Sequence, residues 1–144
     1  MLEKTVKGEN LQKSPKKLMS KNYQEVESMK LTLKEEERLI IFEVAELARR
    51  RWKRGLKLNY VEADAIICDE LLERARAGCN TLTELISIGS QIISLEDVME
   101  GTERLLPFIQ LEVLMPDGTK LVSIHNPIRL EKKEDTIKEL LSMV

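Results

Sequence analysis

The sequence predicts an α+β fold: a helix-rich bundle of about four helices followed by a C-terminal antiparallel β-hairpin. Two changes along the chain carry this prediction. Apolar residues recur at helical spacing from about residue 33 to about residue 101, whereas after Pro107 the apolar period is two. A turn motif at residues 115–118 then separates two short apolar runs, which is typical of a hairpin. The length of 144 residues predicts one globular domain.

The first helix is expected to begin directly after Thr32. The stretch Thr32-Leu33-Lys34-Glu35 has the spacing of a capping box, in which a hydroxyl and a carboxylate each accept a free backbone N–H. Gly55 can end this helix in a left-handed conformation. A broad apolar stripe is expected to face the core, and it comprises Leu39, Ile40, Phe42, Val44, Leu47 and Ala48.

Similar start and stop signals predict three more helices, of which the last two are short. Each has a polar cap residue before it and a glycine near its end. The predicted spans, from cap residue to glycine, are 59–78, 81–89 and 94–101.

The hairpin prediction begins with a half-buried strand after Pro107. Its alternate residues Ile109, Leu111, Val113 and Met115 are apolar, with Gln110 and Glu112 on the other face. The sequence Met115-Pro116-Asp117-Gly118 matches a type I turn, because proline stands second and glycine fourth. Residues 120–124 are expected to return as the partner strand, and Pro127 to end it.

The two ends of the chain are expected to differ from the domain at residues 29–128. Residues 1–28 are lysine-rich and lack apolar periodicity, so we expect a flexible arm. Residues 129–144 are expected to form an amphipathic helical tail, capped by Asp135. The apolar side chains of that helix would be Ile137, Leu140, Leu141 and Val144.

The amino-acid composition argues against several classes of protein, namely nucleic-acid-binding, membrane-spanning and secreted proteins. Charged residues make up 33% of the chain with a net charge of −2, unlike a nucleic-acid binder with a strongly basic face. Cys68 and Cys79 are too far apart for a C-x-x-C motif, and we expect both to be reduced thiols. No apolar run approaches the roughly 20 residues that cross a bilayer, and no signal peptide is evident. The chain is therefore expected to be cytoplasmic.

His125, the only histidine, is the first candidate for chemistry. It could be a metal ligand or a general base near neutral pH. No triad or cluster of metal-ligating residues is evident around it in the sequence. A hydrogen-bonded structural role, or a role in an interface, is therefore the favoured interpretation.

Residues 49–54 form a basic run that contains Trp52. Such a run could bind phosphates while the indole stacks on a base. It also closes the first helix, where cations interact favourably with the carbonyl end of the helix dipole. We favour a structural or subunit-contact role, with Trp52 as a packing anchor.

The other candidates have structural interpretations. Cys68 is expected to be a small buried hydrophobe, and Cys79 to be more exposed. The acids Glu35–Glu37 stand in the first turn of a helix, which favours a solvated face. Met99 and Met115 are expected to fill the core. No catalytic, cofactor-binding or metal-binding residue is assigned to this chain.

Four strings of residues resemble a known family. The strings are MKLT at 29–32, RGLKLNYVEA at 54–63, VMEG at 98–101 and PDGTKLVSIHNPI at 116–128. In this order they resemble the urease gamma subunit family, over essentially the whole predicted domain. The last string is the most specific of the four.

The resemblance implies a small α+β subunit of a nickel hydrolase. It implies packing with a beta subunit and a large alpha subunit, in a symmetric (αβγ)3-type assembly. The alpha subunit would carry a dinickel centre, bridged by a carbamylated lysine, where urea is hydrolysed to ammonia and carbamate. A dinickel site needs several imidazole and carboxylate ligands, which a chain with one histidine cannot supply. This chain is therefore expected to be non-catalytic, with no partner nucleic acid or membrane.

The sequence departs from the family pattern at three places. Leu33 and Val61 stand where proline is common, although both are compatible with a helix. The arm before Met29 has no usual counterpart. The tail after Ile128 is too short to be a fused beta segment, so a separate beta chain is implied. These departures leave open a divergent helical scaffold, or a nucleic-acid-associated module that uses the basic run and the lysine-rich arm.

Overall fold

The structure is a computed structural model, and it describes residues 30–138 and residue 140. The expected arm at 1–28 lies outside the described residues, as do Leu141 and Val144 of the expected tail helix. The chain divides into two compact units, one up to Glu37 and one from Arg38 onward. In the described part of the first unit, Thr32 N–H donates to Glu35 Oε2 (2.7 Å) and Glu35 N–H donates to Thr32 Oγ1 (3.3 Å). The capping box predicted at Thr32 is therefore confirmed.

Within the described residues, four α-helices follow in order: α1 (Leu33–Lys53), α2 (Tyr60–Ala77), α3 (Leu82–Gly89) and the single-turn α4 (Thr102–Leu105). Reciprocal hydrogen bonds between cap and third residue open α2 at Asn59 and α3 at Thr81, as predicted. Gly55 and Gly78, which follow α1 and α2, have φ of 82° and 69°. Both glycines therefore adopt the left-handed conformation expected of them.

The apolar stripe predicted for α1 faces the core only at Val44, which is partly buried, and at Ala48, which is fully buried. For its other four residues the prediction is wrong. Between 46% and 59% of Leu39, Ile40, Phe42 and Leu47 is exposed. Ala45, which was not part of the predicted stripe, is fully buried like Ala48, and Arg49 is also buried. Apolar residues lie around much of the circumference of α1. The side that faces the core carries small alanines, which permit close packing, and an arginine that pairs with a buried group.

The helix predicted at residues 94–101 is wrong beyond its first turn. A 3₁₀ turn covers Leu95–Asp97, and the chain at Val98 is extended. Leu58 N–H donates to the carbonyl of Asp97 (2.9 Å), and Met99 N–H donates to the carbonyl of Leu58 (2.8 Å). These bonds to the loop before α2 replace the hydrogen bonds that would have continued a helix.

The hairpin is confirmed, with β1 (Phe108–Met115) antiparallel to β2 (Gly118–His125). Phe108 pairs with His125 at the open end, and Met115 pairs with Gly118 at the turn. Alternate residues of β1 are buried, as the period of two predicted. The φ of Gly118 is 125°, a conformation that favours glycine at the end of the turn.

The core lies between α2, α3 and the inner face of the hairpin. Gly89 is the last residue of α3 and is buried, rather than being a left-handed stop after the helix. A Cβ at Gly89 would lie 2.1 Å from Cδ1 of Ile124 on β2. Glycine is therefore needed because β2 approaches the helix closely.

The tail helix predicted at residues 129–144 is wrong over its described part. Only a 3₁₀ turn at Lys133–Asp135 is present, and Thr136 is extended. Ile137 N–H donates to the carbonyl of Gln91 (2.9 Å), and Leu140 is buried among the core residues. Hydrogen bonds to the loop after α3 therefore replace the intrahelical ones that a tail helix would need.

Candidate functional site

His125 lies exposed at the end of β2. Its ring centroid is 6.3 Å from that of Phe108, and the two planes are inclined by 42°. Within residues 30–138 and 140, no three His, Cys, Asp or Glu side chains come together to form a possible metal site. The structure thus places this histidine in an aromatic contact at the open end of the hairpin.

The basic run at residues 49–54 divides into inward and outward side chains. Arg51 Nη1 donates to Glu62 Oε2 (3.1 Å), and Trp52 Nε1 donates to Asp97 Oδ1 (2.9 Å). Arg49 is only 3% exposed. These contacts within the chain agree with the structural alternative of the predicted structural or subunit-contact role, and Trp52 packs partly buried against the core. The exposed cations of the run are Arg50, Arg51, Lys53 and Arg54.

A cluster that the sequence analysis did not foresee joins α1 to α2. This arginine–carboxylate cluster comprises Arg38, Arg49, Asp69 and Glu73. Both arginines donate to the carboxylate of Asp69, and the Arg38 Nη1 to Asp69 Oδ1 distance is 2.7 Å. Arg38 also pairs with Glu73. Asp69 is 1% exposed, and a buried carboxylate of this kind requires charged donors.

The sequence contains a signal for this cluster. Asp69 and Glu70 interrupt an apolar run in the middle of α2, where solvated acids are not expected. Glu70 is fully buried, and Arg74 Nε donates to its Oε1 at 2.9 Å. Two adjacent acids inside an apolar run therefore indicate buried ion pairs, although the sequence alone does not say which arginines supply the charge.

The two cysteines differ in environment, as predicted. Cys68 is buried and donates from its thiol to Asp64 Oδ1 (3.3 Å), while Cys79 is exposed. Burial raises the pKa of Cys68 well above its ordinary value, and the nearby charge of Asp64 raises it further. Desolvation likewise raises the pKa of Asp64. A thiol held protonated in this way is inert as a nucleophile.

The remaining candidates have mixed outcomes. Glu35, Glu36 and Glu37 are exposed, as predicted, and the backbone and hydroxyl of Thr32 lower the pKa of Glu35. Met115 packs partly buried against the core. Met99 is 50% exposed, so its predicted place in the core is wrong. In place of the expected helix, the chain is extended at Val98 and turns at residues 100–101, and the Met99 side chain between them lies at the surface.

Two exposed apolar surfaces remain as candidates for contact with other molecules. The α1 outer face consists of Leu39, Ile40, Phe42 and Leu47, and the hairpin outer face consists of Phe108, Leu114 and Leu121. Each of these side chains is between 46% and 62% exposed. Clustered exposed apolar residues are typical of protein interaction surfaces. Among the helices that the structure describes, none combines the length and the apolar character that crossing a membrane requires.

Comparison with protein families identifies the domain. The model of a family described as "Urease, gamma subunit" matches residues 29–128. This match covers the four helices and the hairpin, and the α+β architecture agrees with that of the family. The chain belongs to the urease gamma subunit family.

Proposed function

We propose that this chain is the non-catalytic gamma subunit of a urease. It would pack with separate beta and alpha chains, whose complex hydrolyses urea to ammonia and carbamate. The observation that carries the proposal is the family match, which spans residues 29–128 and therefore the whole helix-and-hairpin domain.

The catalytic metal of this proposal belongs to the partner alpha subunit. Two nickel ions need several imidazole and carboxylate ligands at fixed positions. The full sequence has one histidine, and it lies against Phe108 at the end of the hairpin. The donor set of this chain therefore supports a structural contribution to the enzyme and a dinickel centre elsewhere in the complex.

The two outer faces support assembly with partner chains. Exposed leucine, isoleucine and phenylalanine side chains gain free energy when another protein covers them. The α1 outer face and the hairpin outer face lie on a helix and on strands. The backbone there is already ordered before binding, so little conformational entropy of the backbone is lost when a partner binds. A symmetric (αβγ)3-type cytoplasmic assembly is the arrangement that we propose.

The alternative is a nucleic-acid-associated module that uses the basic run. The strongest part of such a nucleic-acid site would be Trp52 between Arg51 and Lys53. The Trp52 indole N–H, however, is bound to Asp97, and Arg49 and Arg51 are paired with acids of α2. Those contacts within the chain favour the urease proposal over the alternative.

The decisive experiment reconstitutes the enzyme from its parts. The chain would be expressed alone, and together with beta chain, alpha chain and nickel-loading accessory proteins from the same source. We expect the isolated chain neither to hydrolyse urea nor to retain stoichiometric nickel, and the co-expressed chains to purify together with activity. A matched preparation that lacks only this chain serves as the control.

Two outcomes would contradict the proposal. One is stoichiometric nickel or urea hydrolysis in the isolated chain, and the other is full activity in the preparation that lacks it. Binding of the isolated chain to DNA or RNA that weakens steeply with salt would instead favour the nucleic-acid alternative.

A further inference from the structure

One side of α1 carries a row of exposed apolar side chains at a spacing of seven residues. Leu33, Ile40 and Leu47 are 78%, 59% and 50% exposed, and the last two belong to the α1 outer face. Seven residues make about two turns of an α-helix, so these side chains follow one another along its axis. We call this row the α1 seam. Apolar residues at every seventh position are one of the features by which two helices pack side by side.

Charged side chains of opposite sign stand beside the two ends of the α1 seam. The first turn of α1 is acidic and its last turn is basic. Glu36, Glu43 and Arg50 are also seven residues apart and are exposed, so they form a second row next to the seam. This second row is negative at the start and in the middle of the helix and positive at its end.

The two rows together fit a second copy of α1 that runs in the opposite direction. With a two-fold axis between residues 43 and 44, Ile40 of each copy faces Leu47 of the other, and Glu36 of each copy lies beside Arg50 of the other. A parallel pair would instead place Glu36 beside Glu36 and Arg50 beside Arg50. The charges therefore favour the antiparallel pair, in which opposite signs meet twice.

We propose that the isolated chain forms a two-fold dimer in which the α1 seams of two copies pack antiparallel. A second copy is the occupant that this surface fits, because a two-fold contact uses the same patch on both chains and the patch must complement itself. Arg49 and Asp69, which join α1 to α2, are buried on the inner side of the helix and remain paired in the dimer. The inference goes beyond the proposed subunit role and does not require it.

The dimer is tested by sedimentation equilibrium of the full chain over a range of protein concentrations. Leu47→Asp should raise the dissociation constant at least about tenfold, because the new carboxylate would be buried against Ile40 of the second copy. Leu121→Asp is the matched control, since that leucine is 60% exposed on the hairpin outer face. We expect Leu121→Asp to leave the dissociation constant unchanged. Far-UV circular dichroism of each variant checks that the helices are retained.

Charge reversal tests the antiparallel direction. Glu36→Lys alone, and Arg50→Glu alone, should each raise the dissociation constant at least about fourfold, because two symmetry-related pairs change from attraction to repulsion. The double variant Glu36→Lys, Arg50→Glu exchanges the signs within each pair and should restore association towards the wild-type value. A parallel pair would show neither the single losses nor this recovery, since equal charges would meet in every variant.

Glu43 gives a further test that does not reverse any charge at the helix ends. It lies next to the proposed two-fold axis, where it approaches Glu43 of the second copy. Glu43→Gln removes this repulsion and should lower the dissociation constant by roughly 1.5- to 2-fold. This variant keeps the proposal testable if the reversal variants fail to fold.

Three results would overturn the proposal. The first is a chain that stays monomeric up to its solubility limit. The second is a dimer that Leu121→Asp disrupts and Leu47→Asp does not, which would assign the contact to the hairpin outer face. The third is a double reversal variant that associates no better than the single ones. All three measurements use this chain alone, so their failure is distinct from a failure of the urease proposal.

Discussion

Arg49 of α1 donates a hydrogen bond to Asp69 of α2 in the interior, where 3% of the arginine side chain and 1% of the aspartate side chain are exposed. Arg38 reaches the same carboxylate from the partly exposed side. Beside this pair, α1 turns only Ala45 and Ala48 fully inward. These ion pairs join α1 to α2, and Ile41, Val44 and Trp52 of α1 pack partly buried against the core. The other large apolar side chains of the helix are exposed.

The first prediction concerns this ion pair. Arg49→Met should lower the free energy of unfolding by about 3 kcal/mol, because it leaves the buried carboxylate of Asp69 with Arg38 as its charged partner. Urea denaturation followed by circular dichroism would measure the loss. Arg50→Met, at an exposed neighbouring position, should change stability by less than about 0.5 kcal/mol.

The double variant Arg49→Met, Asp69→Leu distinguishes two causes of the lost stability. One is the loss of attraction between the two charges, and the other is the cost of burying the Asp69 carboxylate without its Arg49 partner. Stability should return at least partly towards the wild-type value, since removal of both charges leaves no uncompensated group. A double variant less stable than Arg49→Met alone would contradict this account of the pair.

The second prediction concerns the approach of α3 to β2. Gly89→Ala places a Cβ 2.1 Å from Cδ1 of Ile124 and 3.3 Å from Cδ1 of Leu71. Alanine favours a helix over glycine by at most about 1 kcal/mol. Overpacking a buried site costs about 1 to 3 kcal/mol. We therefore expect a net loss of stability, measurable as a lower urea midpoint.

Ile124→Val provides the matched test, because valine lacks the Cδ1 atom that the new Cβ would meet. In this background, Gly89→Ala should cost clearly less than it does in the wild-type chain. An equal cost in both backgrounds would show that the loss arises from the backbone of α3 and not from the contact with Ile124.

The sequence was sufficient where local chemistry decides the structure. The capping boxes at Thr32, Asn59 and Thr81 involve residues three apart, so their spacing is visible in the chain. The alternation in β1 is visible for the same reason, since one face of a strand is buried at every second residue. The residue strings at 29–32, 54–63, 98–101 and 116–128 likewise were enough to identify the family that the comparison shows.

The features that the sequence did not predict depend on contacts between residues that are far apart in the chain. Hydrogen bonds and a β-bridge with Leu58 hold the chain extended at Val98, and the carbonyl of Gln91 accepts the N–H of Ile137 where a tail helix was expected. The arginine–carboxylate cluster joins residues that are 20, 31 or 35 positions apart. No local pattern specifies such partners. The face that α1 buries was predicted only in part, since the burial of Arg49 against Asp69 is such a contact.

The third prediction concerns the reactivity of the two thiols. Cys79 is exposed and should react with a disulfide reagent such as Ellman's reagent within the time of mixing experiments. Cys68 is buried and should react only as fast as the domain opens. Cys79→Ser should therefore abolish the fast phase alone. Two fast thiols in the folded chain would contradict the burial of Cys68.

The fourth prediction is a dependence of stability on pH. Burial, followed by the charge of Asp64 and the hydrogen bond to it, raises the pKa of Cys68 above its ordinary value of 9.0. The folded chain then holds the thiol proton more tightly than the unfolded chain does. The stabilising contribution is complete below pH 9.0 and is lost as pH rises through the range between the unfolded and folded pKa.

Urea denaturation at a series of increasing pH values would test whether the free energy of unfolding falls in this way. Above the ordinary thiol pKa, the wild-type chain should lose up to about 1.4 kcal/mol per pH unit more than Cys68→Ala does. Cys79→Ala, which removes an exposed thiol, should retain the wild-type dependence. The same pH dependence in the Cys68 variant would assign the effect to other groups.

The last prediction concerns the α1 outer face and depends on the proposed subunit role. Ile40 and Leu47 are 59% and 50% exposed, so replacing both by aspartate should leave far-UV circular dichroism unchanged and stability within about 1 kcal/mol. If partner chains cover this face, the new carboxylates must be buried without counter-charges, which is costly. The apparent affinity for the alpha and beta chains should then fall at least tenfold, or about 1.4 kcal/mol.

Leu105→Asp on α4 is the matched control, because that leucine is 65% exposed and lies outside the α1 outer face. Co-purification of each variant with the alpha and beta chains, at the same expression level, is the measurement. A selective loss in the Ile40→Asp, Leu47→Asp variant would assign the face to a subunit contact. Equal recovery of partner chains by this variant and the wild type would show that the α1 outer face stays in solvent. The hairpin outer face would then be the remaining candidate for the subunit contact.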